Sequence, residues 1–441
     1  MNRTAKCLTL TLLSVLLAVS SQTWGQTTLF TTVKGKGQDV YRIPSIVRLP
    51  NGNLWAFCDL RYNNDGSDLG NNHRIDVVGK LSSDNGTSWG DRTDIAKGNS
   101  SSSGYDYAHG DPASVVDRES GSIMVLSASG KNKWGIEGAP LIARSVSTDG
   151  GSIWTTSEIS SQLYVSGFNP GSIFFSSGRM IQSTLVKKGA YYRIYAAVDT
   201  YNNGSCVVYS DDFGATWSYL GGTSARPASN GDECKVEELP NGNILLSCRV
   251  RSTTGRLFNI FTFTDKENAE GKWGTAVNGN ITAASCNGEV LLVPATRASD
   301  SKQVYVLLQS AAMSSQREKV GIYWKVLESE NDYDEPSDFS SGWSSYSVTT
   351  NYSCYSTMVL DKNGDVAFLY EDELISVNTG SGYNIKFKTI PLATITSNQY
   401  TYSANTDGYR TTSELATTKT SSGEDIVKTV AAPTFSVVAG T

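Results

Sequence analysis

Ser82-Ser83-Asp84-Asn85-Gly86-Thr87-Ser88-Trp89 is the first of three stretches in this chain that read S-x-D-x-G-x-x-W. The others are Ser147-Thr148-Asp149-Gly150-Gly151-Ser152-Ile153-Trp154 and Ser210-Asp211-Asp212-Phe213-Gly214-Ala215-Thr216-Trp217. Their starts at residues 82, 147 and 210 place them 65 and then 63 residues apart. A fixed motif at a near-fixed period marks a repeat architecture. A degraded fourth copy ends Thr264-Asp265…Lys272-Trp273. The pattern suits a turn between two strands: Asp accepts backbone N–H groups, Gly supplies a positive φ, and Trp buries its face beside the turn. Each copy is therefore expected to be a structural staple and not a site of chemistry.

Short β-branched and aromatic runs surround the copies, among them Ser45–Leu49, Ile123–Ser127, Cys206–Tyr209 and Val304–Leu308. Gly, Asn and Pro turns bound them, and Asn51-Gly52, Asn241-Gly242 and Asn363-Gly364 are hairpin dipeptides. No long stretch carries helical periodicity. Short strands at this period predict an all-β chain built as a β-propeller of four-stranded blades.

The 441 residues carry a formal net charge of −6, which argues against nucleic acid or an anionic membrane as a bulk partner. Residues 1–25 read as a signal peptide: Arg3 and Lys6 precede an apolar run from Leu8 to Val19 that is too short to span a bilayer. Export is therefore expected, with no membrane span. Six cysteines follow, Cys58, Cys206, Cys234, Cys248, Cys286 and Cys354, and they permit disulfides. Cys58, Cys206 and Cys248 lie in apolar strand runs and are equally readable as buried thiols. No cysteine spacing resembles a zinc site, and no metal or cofactor is expected. The sequons at Asn85, Asn99, Asn203, Asn280 and Asn351 matter only in a eukaryotic host. The expected domains are the signal at 1–25, the propeller at 27–395 and a Ser/Thr-rich tail at 396–441.

Only two histidines occur, His73 and His109, so carboxylates, arginines and tyrosines must carry any chemistry. Tyr41-Arg42-Ile43-Pro44 opens the first strand run. Followed by the ordered S-x-D-x-G-x-x-W copies, it resembles the sialidase (neuraminidase) superfamily, whose Asp boxes have this form, over about Tyr41 to Glu371. The resemblance implies a six-bladed β-propeller with Asp-box repeats and an exo-α-sialidase that removes terminal sialic acid from glycoproteins, glycolipids or oligosaccharides with retention.

The substrate explains the residue types. Sialic acid bears a carboxylate on its anomeric carbon, and arginine forks bind carboxylates bidentately. By resemblance the three arginines are Arg42, Arg256 and Arg317, with Arg249 as competitor for the second. An attacking carboxylate would be repelled by the substrate's own charge, and sialidases use tyrosine instead. Tyr355 matches the nucleophile, with Tyr352 as rival, and Glu371 matches the carboxylate that steadies the first arginine. Glu238 matches the partner that takes the phenol proton, with Glu237 and Glu233 as alternatives. Asp68, with Asp65 behind it, matches the acid/base on a loop that begins at Arg61, the accessory arginine. Asp111 matches a further pocket carboxylate. Sialyl-transferring members place a Trp two residues before the third arginine; Ser315 stands here, which favours water as acceptor. The alternatives are a trans-sialidase and a non-catalytic sialic-acid-binding propeller.

Overall fold

A computed structural model describes residues 25–35, 39–70, 73–99, 108–251 and 253–403, together with the backbone of two short strands, Thr417–Lys419 and Asp425–Val427. The expected signal peptide lies almost wholly outside the described residues, as does most of the expected tail.

Among the described residues, the longer strands form six antiparallel four-stranded meanders, of which the first and last join into one sheet through a single pairing, Tyr41 opposite Tyr383. The first strands of the six meanders are Val40–Arg48, His109–Val116, Ile181–Lys188, Gly231–Glu238, Val290–Arg297 and Ser353–Leu360. Each touches the next in this order, and the last touches the first, so they ring a common axis. This is a β-propeller. The ring is closed from both ends of the chain: Thr27–Phe30 pairs with Gly382–Ile390 as the outermost strand of the last blade.

The hairpin dipeptides behave as their chemistry requires. Gly52, Gly242 and Gly364 each take a positive φ (88°, 83° and 83°) in the turn between first and second strands of blades one, four and six. All three turns therefore lie at one end of the axis, and the starts of the first strands lie at the other.

The three S-x-D-x-G-x-x-W copies share one hydrogen-bond pattern. In the first, the Ser82 hydroxyl donates to Asp84 Oδ1 (2.9 Å) and accepts from Gly86 N–H (2.8 Å), while Asp84 Oδ1 accepts from Ser88 N–H (2.8 Å). Ser147, Asp149 and Ile153 repeat it, as do Ser210, Asp212 and Thr216. The glycine of each copy faces the preceding blade: a Cβ on Gly86 would lie 2.4 Å from Phe387, on Gly151 2.3 Å from Trp55, and on Gly214 2.3 Å from Met124. Each staple thus also seats its blade against the one before it.

One expectation is corrected. Residues 396–403 belong to the fold: Tyr400–Tyr402 pairs with Ala295–Arg297, and Tyr400 packs in the apolar core of the fifth and sixth blades. The aromatic spacing outweighs the polar composition that suggested a tail. For Cys248, equally readable from sequence as bonded or free, the bonded form is found. Cys248 lies directly opposite Cys234 on the neighbouring strand, with Cα atoms 4.1 Å apart, and the two form a disulfide. Cys58, Cys206, Cys286 and Cys354 are buried thiols. Among the described residues, no helix is long and apolar enough to cross a membrane.

Candidate active site

Four of the first strands are bulged near their starts. Pairing slips between Arg42 and Ser45, between Gly110 and Ala113, between Asp232 and Cys234, and between Ser353 and Ser356. A bulge re-aims side chains and frees backbone N–H groups from the ladder. Here the freed groups are met by side chains: Ile43 N–H donates to Glu371 Oε1 (2.8 Å), Asp111 N–H to Asp59 Oδ1 (2.9 Å), Cys234 N–H to Ser176 Oγ (2.9 Å) and Tyr355 N–H to Glu371 Oε2 (3.2 Å). Ile43 and Asp111 sit at φ 59° and 57°, a left-handed conformation that a non-glycine residue holds only where its surroundings fix it. The bulges occur on the strands that carry Arg42, Asp111, Glu233 and Tyr355.

These side chains converge at one end of the axis. Arg42 Nε donates to Glu371 Oε1 (2.7 Å), and the Glu371 side chain is 0 % exposed. Burial disfavours the charge on Arg42, but Glu371, Cys354 and Tyr355 together outweigh it, and the net effect raises the guanidinium pKa. The Arg42 guanidinium carbon lies 5.6 Å from the centre of the Tyr355 ring, and that of Arg317 also lies 5.6 Å from it. Arg249 Nη1 donates to the Tyr355 hydroxyl (3.3 Å) and to Glu233 Oε2. One phenol is therefore ringed by three guanidinium groups, and two of these, Arg42 and Arg249, are shared with carboxylates. Burial pushes the Tyr355 hydroxyl well above its ordinary value; the Glu233 charge adds to the push, and Arg249 and Arg317 oppose it.

Two expected residues lie elsewhere. Arg256 is fully buried, and its guanidinium donates to the Ser247 hydroxyl and to the carbonyls of Ser247 and Cys286. It pairs directly opposite Arg249 but one strand further from the axis, so it is sealed between blades. Burial pushes it down to about 10. Glu238 sits at the far end of its strand, where it accepts from the Ser183 hydroxyl (2.5 Å) and Thr184 N–H (2.6 Å). It lines a cavity of about 180 Å³ that opens at the opposite end of the axis, beside Glu237 and Arg179. Arg249 and Glu233, the competitors named from sequence, occupy the positions beside Tyr355. Tyr352 is 55 % exposed.

The remaining expected residues form a second group beside the first. Arg61 Nη2 donates to Asp59 Oδ2 (2.7 Å) and Nη1 to the Gly66 carbonyl (2.7 Å). Asp68 Oδ1 lies 3.7 Å from Arg61 Nη2, and its side chain is 59 % exposed. Asp65 instead serves its own turn, accepting from Ser67 N–H (2.8 Å). Asp111 is buried, and burial raises its carboxyl well above the ordinary range, with the charges of Asp68 and Asp59 adding to the rise. Asp59 escaped the sequence reading. Its signal was the Asp59-Leu60-Arg61 spacing, since residues two apart on a strand share a face. Among the described residues, no group of three His, Cys, Asp or Glu side chains is placed to hold a metal ion.

Residues 65–368 match the BNR repeat-like domain family, and the chain belongs to that family. Its fold is that of the sialidases. An intramolecular trans-sialidase of Ruminococcus gnavus superposes with a TM-score of 0.61 at 14 % identity, over 82 % of this chain and 98 % of that one. A leech intramolecular trans-sialidase gives 0.64 at 15 % identity, over 86 % and 71 %. A Trypanosoma rangeli sialidase gives 0.57 at 17 % identity, over 83 % and 59 %.

Proposed function

We propose that this chain is a sialidase-type glycoside hydrolase acting on terminal sialic acid with retention. The observation that carries the reading is the environment of Tyr355: Arg249 at its hydroxyl, Arg42 and Arg317 within cation–π reach of its ring, and Glu233 on the same Arg249. Three guanidinium groups around a phenol suit a substrate whose reacting carbon carries a carboxylate. Two of them, Arg42 and Arg317, face the ring and put positive charge beside the position that carboxylate would take.

In this mechanism Asp68 protonates the glycosidic oxygen as its bond to the anomeric carbon breaks. Tyr355 oxygen bonds to that carbon, and its proton passes to Glu233, giving a tyrosyl–sialosyl intermediate. Water then attacks from the vacated side, loses its proton to Asp68, and displaces Tyr355, which recovers its proton from Glu233. Two inversions return the original configuration. A phenol held neutral by burial needs such a base, and the shared Arg249 keeps Glu233 at hand for it.

The acceptor distinguishes hydrolysis from transfer. Ser315, two residues before Arg317, is exposed and offers no aromatic platform for an incoming sugar, so water is the acceptor in this reading. The substrates are sialylated glycoproteins, glycolipids or oligosaccharides met outside the cytoplasm, to which the segment at 1–25 directs the chain. Incubation with a 2,3-difluorosialic acid and peptide mapping is the test: a sialosyl adduct on Tyr355 is expected, and an adduct on another residue, or turnover without one, refutes the assignment. Product analysis by NMR separates free sialic acid from a 2,7-anhydro or transferred product.

A further inference from the structure

Asp59 and Glu371 are built alike. Each lies on the second strand of its blade, and each is 0 % exposed. Glu371 binds the Arg42 guanidinium and the bulged Ile43 N–H; Asp59 binds the Arg61 guanidinium and the bulged Asp111 N–H. In Asp59 the two duties fall on different oxygens. Oδ2 accepts from Arg61 Nε (3.2 Å) and Nη2 (2.7 Å), while Oδ1 accepts from Asp111 N–H (2.9 Å). One carboxylate thus ties blade one to the left-handed backbone of blade two. Gly110 gives it room, since a Cβ there would lie 3.3 Å from Asp59 Oδ2.

Arg61 extends the tie to the acid/base loop through the Gly66 carbonyl and through its approach to Asp68. The charged groups around Asp59 are Arg61 on its own strand, Asp68 on the following loop and Asp111 on the next blade, with Arg42 and Glu233 beyond them; Cys58, the residue before it, points to the other face of the strand. Three carboxylates therefore share the nearest guanidinium.

We propose that Asp59 is a positioning residue for the acid/base step: it fixes Arg61 and Asp111, and by holding Arg61 it keeps that cation from committing itself to Asp68. The proposal rests on the sialidase reading. Burial pushes Asp59 itself up to about 7, with Arg61 opposing the rise.

Asp59→Asn tests this, because the amide oxygen still accepts the Asp111 N–H while the charge on Arg61's partner is lost. Removing a negative neighbour and releasing Arg61 toward Asp68 both favour ionised Asp68. The alkaline limb of the kcat profile is expected to move to lower pH. At neutral pH, kcat on sialyllactose is expected to fall about tenfold or more, with a smaller loss on an umbelliferyl sialoside, whose leaving group needs little proton. A folded Asp59→Asn protein with an unmoved pH profile and unchanged kcat overturns the proposal. Should Asp59→Asn fail to fold, Asp59→Glu is read instead. It keeps the charge but displaces Arg61 and Asp111, so kcat on sialyllactose falls while the alkaline limb stays; unchanged kcat overturns the proposal. A wild-type protein inactive on both substrates overturns the sialidase reading together with the role of Asp59, whereas an active wild type with an unaltered variant overturns the role of Asp59 alone.

Discussion

Arg249 and Arg256 face each other across one strand pair, yet their surroundings give them opposite roles. Arg249 reaches the Tyr355 hydroxyl and two carboxylates, Glu233 and Asp232. Among the described residues, Arg256 hydrogen-bonds to a hydroxyl and to carbonyls in a buried seam. Arg249→Ala is expected to lower kcat/KM on a sialoside about a hundredfold or more, the loss of one charged contact in a desolvated site. Arg256→Met is expected to leave KM within about twofold, because an apolar side chain of similar volume often replaces a buried charge at little cost; steady-state kinetics on both variants checks the pair. Tyr355→Phe is expected to lower kcat by about three orders of magnitude or more, while calorimetry still detects binding of a sialic-acid analogue. The difference between the two arginines is invisible in sequence, where both lie in strand-like runs. The same holds for Glu233 against Glu238. Alternation places residues 233, 235 and 237 on one face, but the bulge between Asp232 and Cys234 breaks that count.

At the scale of the element, the repeated staple is the clearest case of sequence dictating structure. Its serine, aspartate and glycine satisfy one another within eight residues, so no distant partner is needed to make the turn. The distant part is the seat against the previous blade, where Gly151 φ is 100° and its Cα faces the Trp55 ring. Gly151→Ala adds a Cβ 2.3 Å from that ring and forces an unfavourable backbone. It is expected to destabilise the protein by about 1–3 kcal/mol, seen as a lower Tm. Because this turn lies at the end of the axis remote from Tyr355, kcat/KM below the melting transition should not change.

At the scale of the whole molecule, two features hold the ring. Closure depends on Thr27–Phe30, whose Leu29 and Phe30 are buried among residues of the first and last blades. Phe30→Ala is expected to cost about 3–5 kcal/mol, measurable by denaturant unfolding. The hub between the two ends of the axis is polar: Lys235 Nζ lies 3.9 Å from Glu289 Oε2, which also accepts from the Thr357 hydroxyl (3.0 Å). Burial pushes Lys235 down to about 8 from an ordinary 10.5, with Glu289 opposing the shift. Between these values the unfolded chain binds the proton that the folded protein has lost, so stability rises with pH across that window. Lys235→Met removes the titration, so wild-type stability should rise relative to the variant between about pH 8 and 10.5; chemical denaturation at several pH values checks this.

The sequence by itself determined the propeller, the staples and the hairpin turns, because each is written in a local pattern or a periodic motif; its resemblance to the sialidases is what grouped Arg42, Arg317, Tyr355 and Glu371. Only the tertiary structure decided that Arg249 and Glu233 stand beside Tyr355 in place of Arg256 and Glu238, that Asp59 joins two blades, and that residues 396–403 complete the fifth sheet. The physical reason is one of range. Turn chemistry is settled within a few residues, whereas the side of a strand that faces the axis depends on a single bulge and on which blade packs against it.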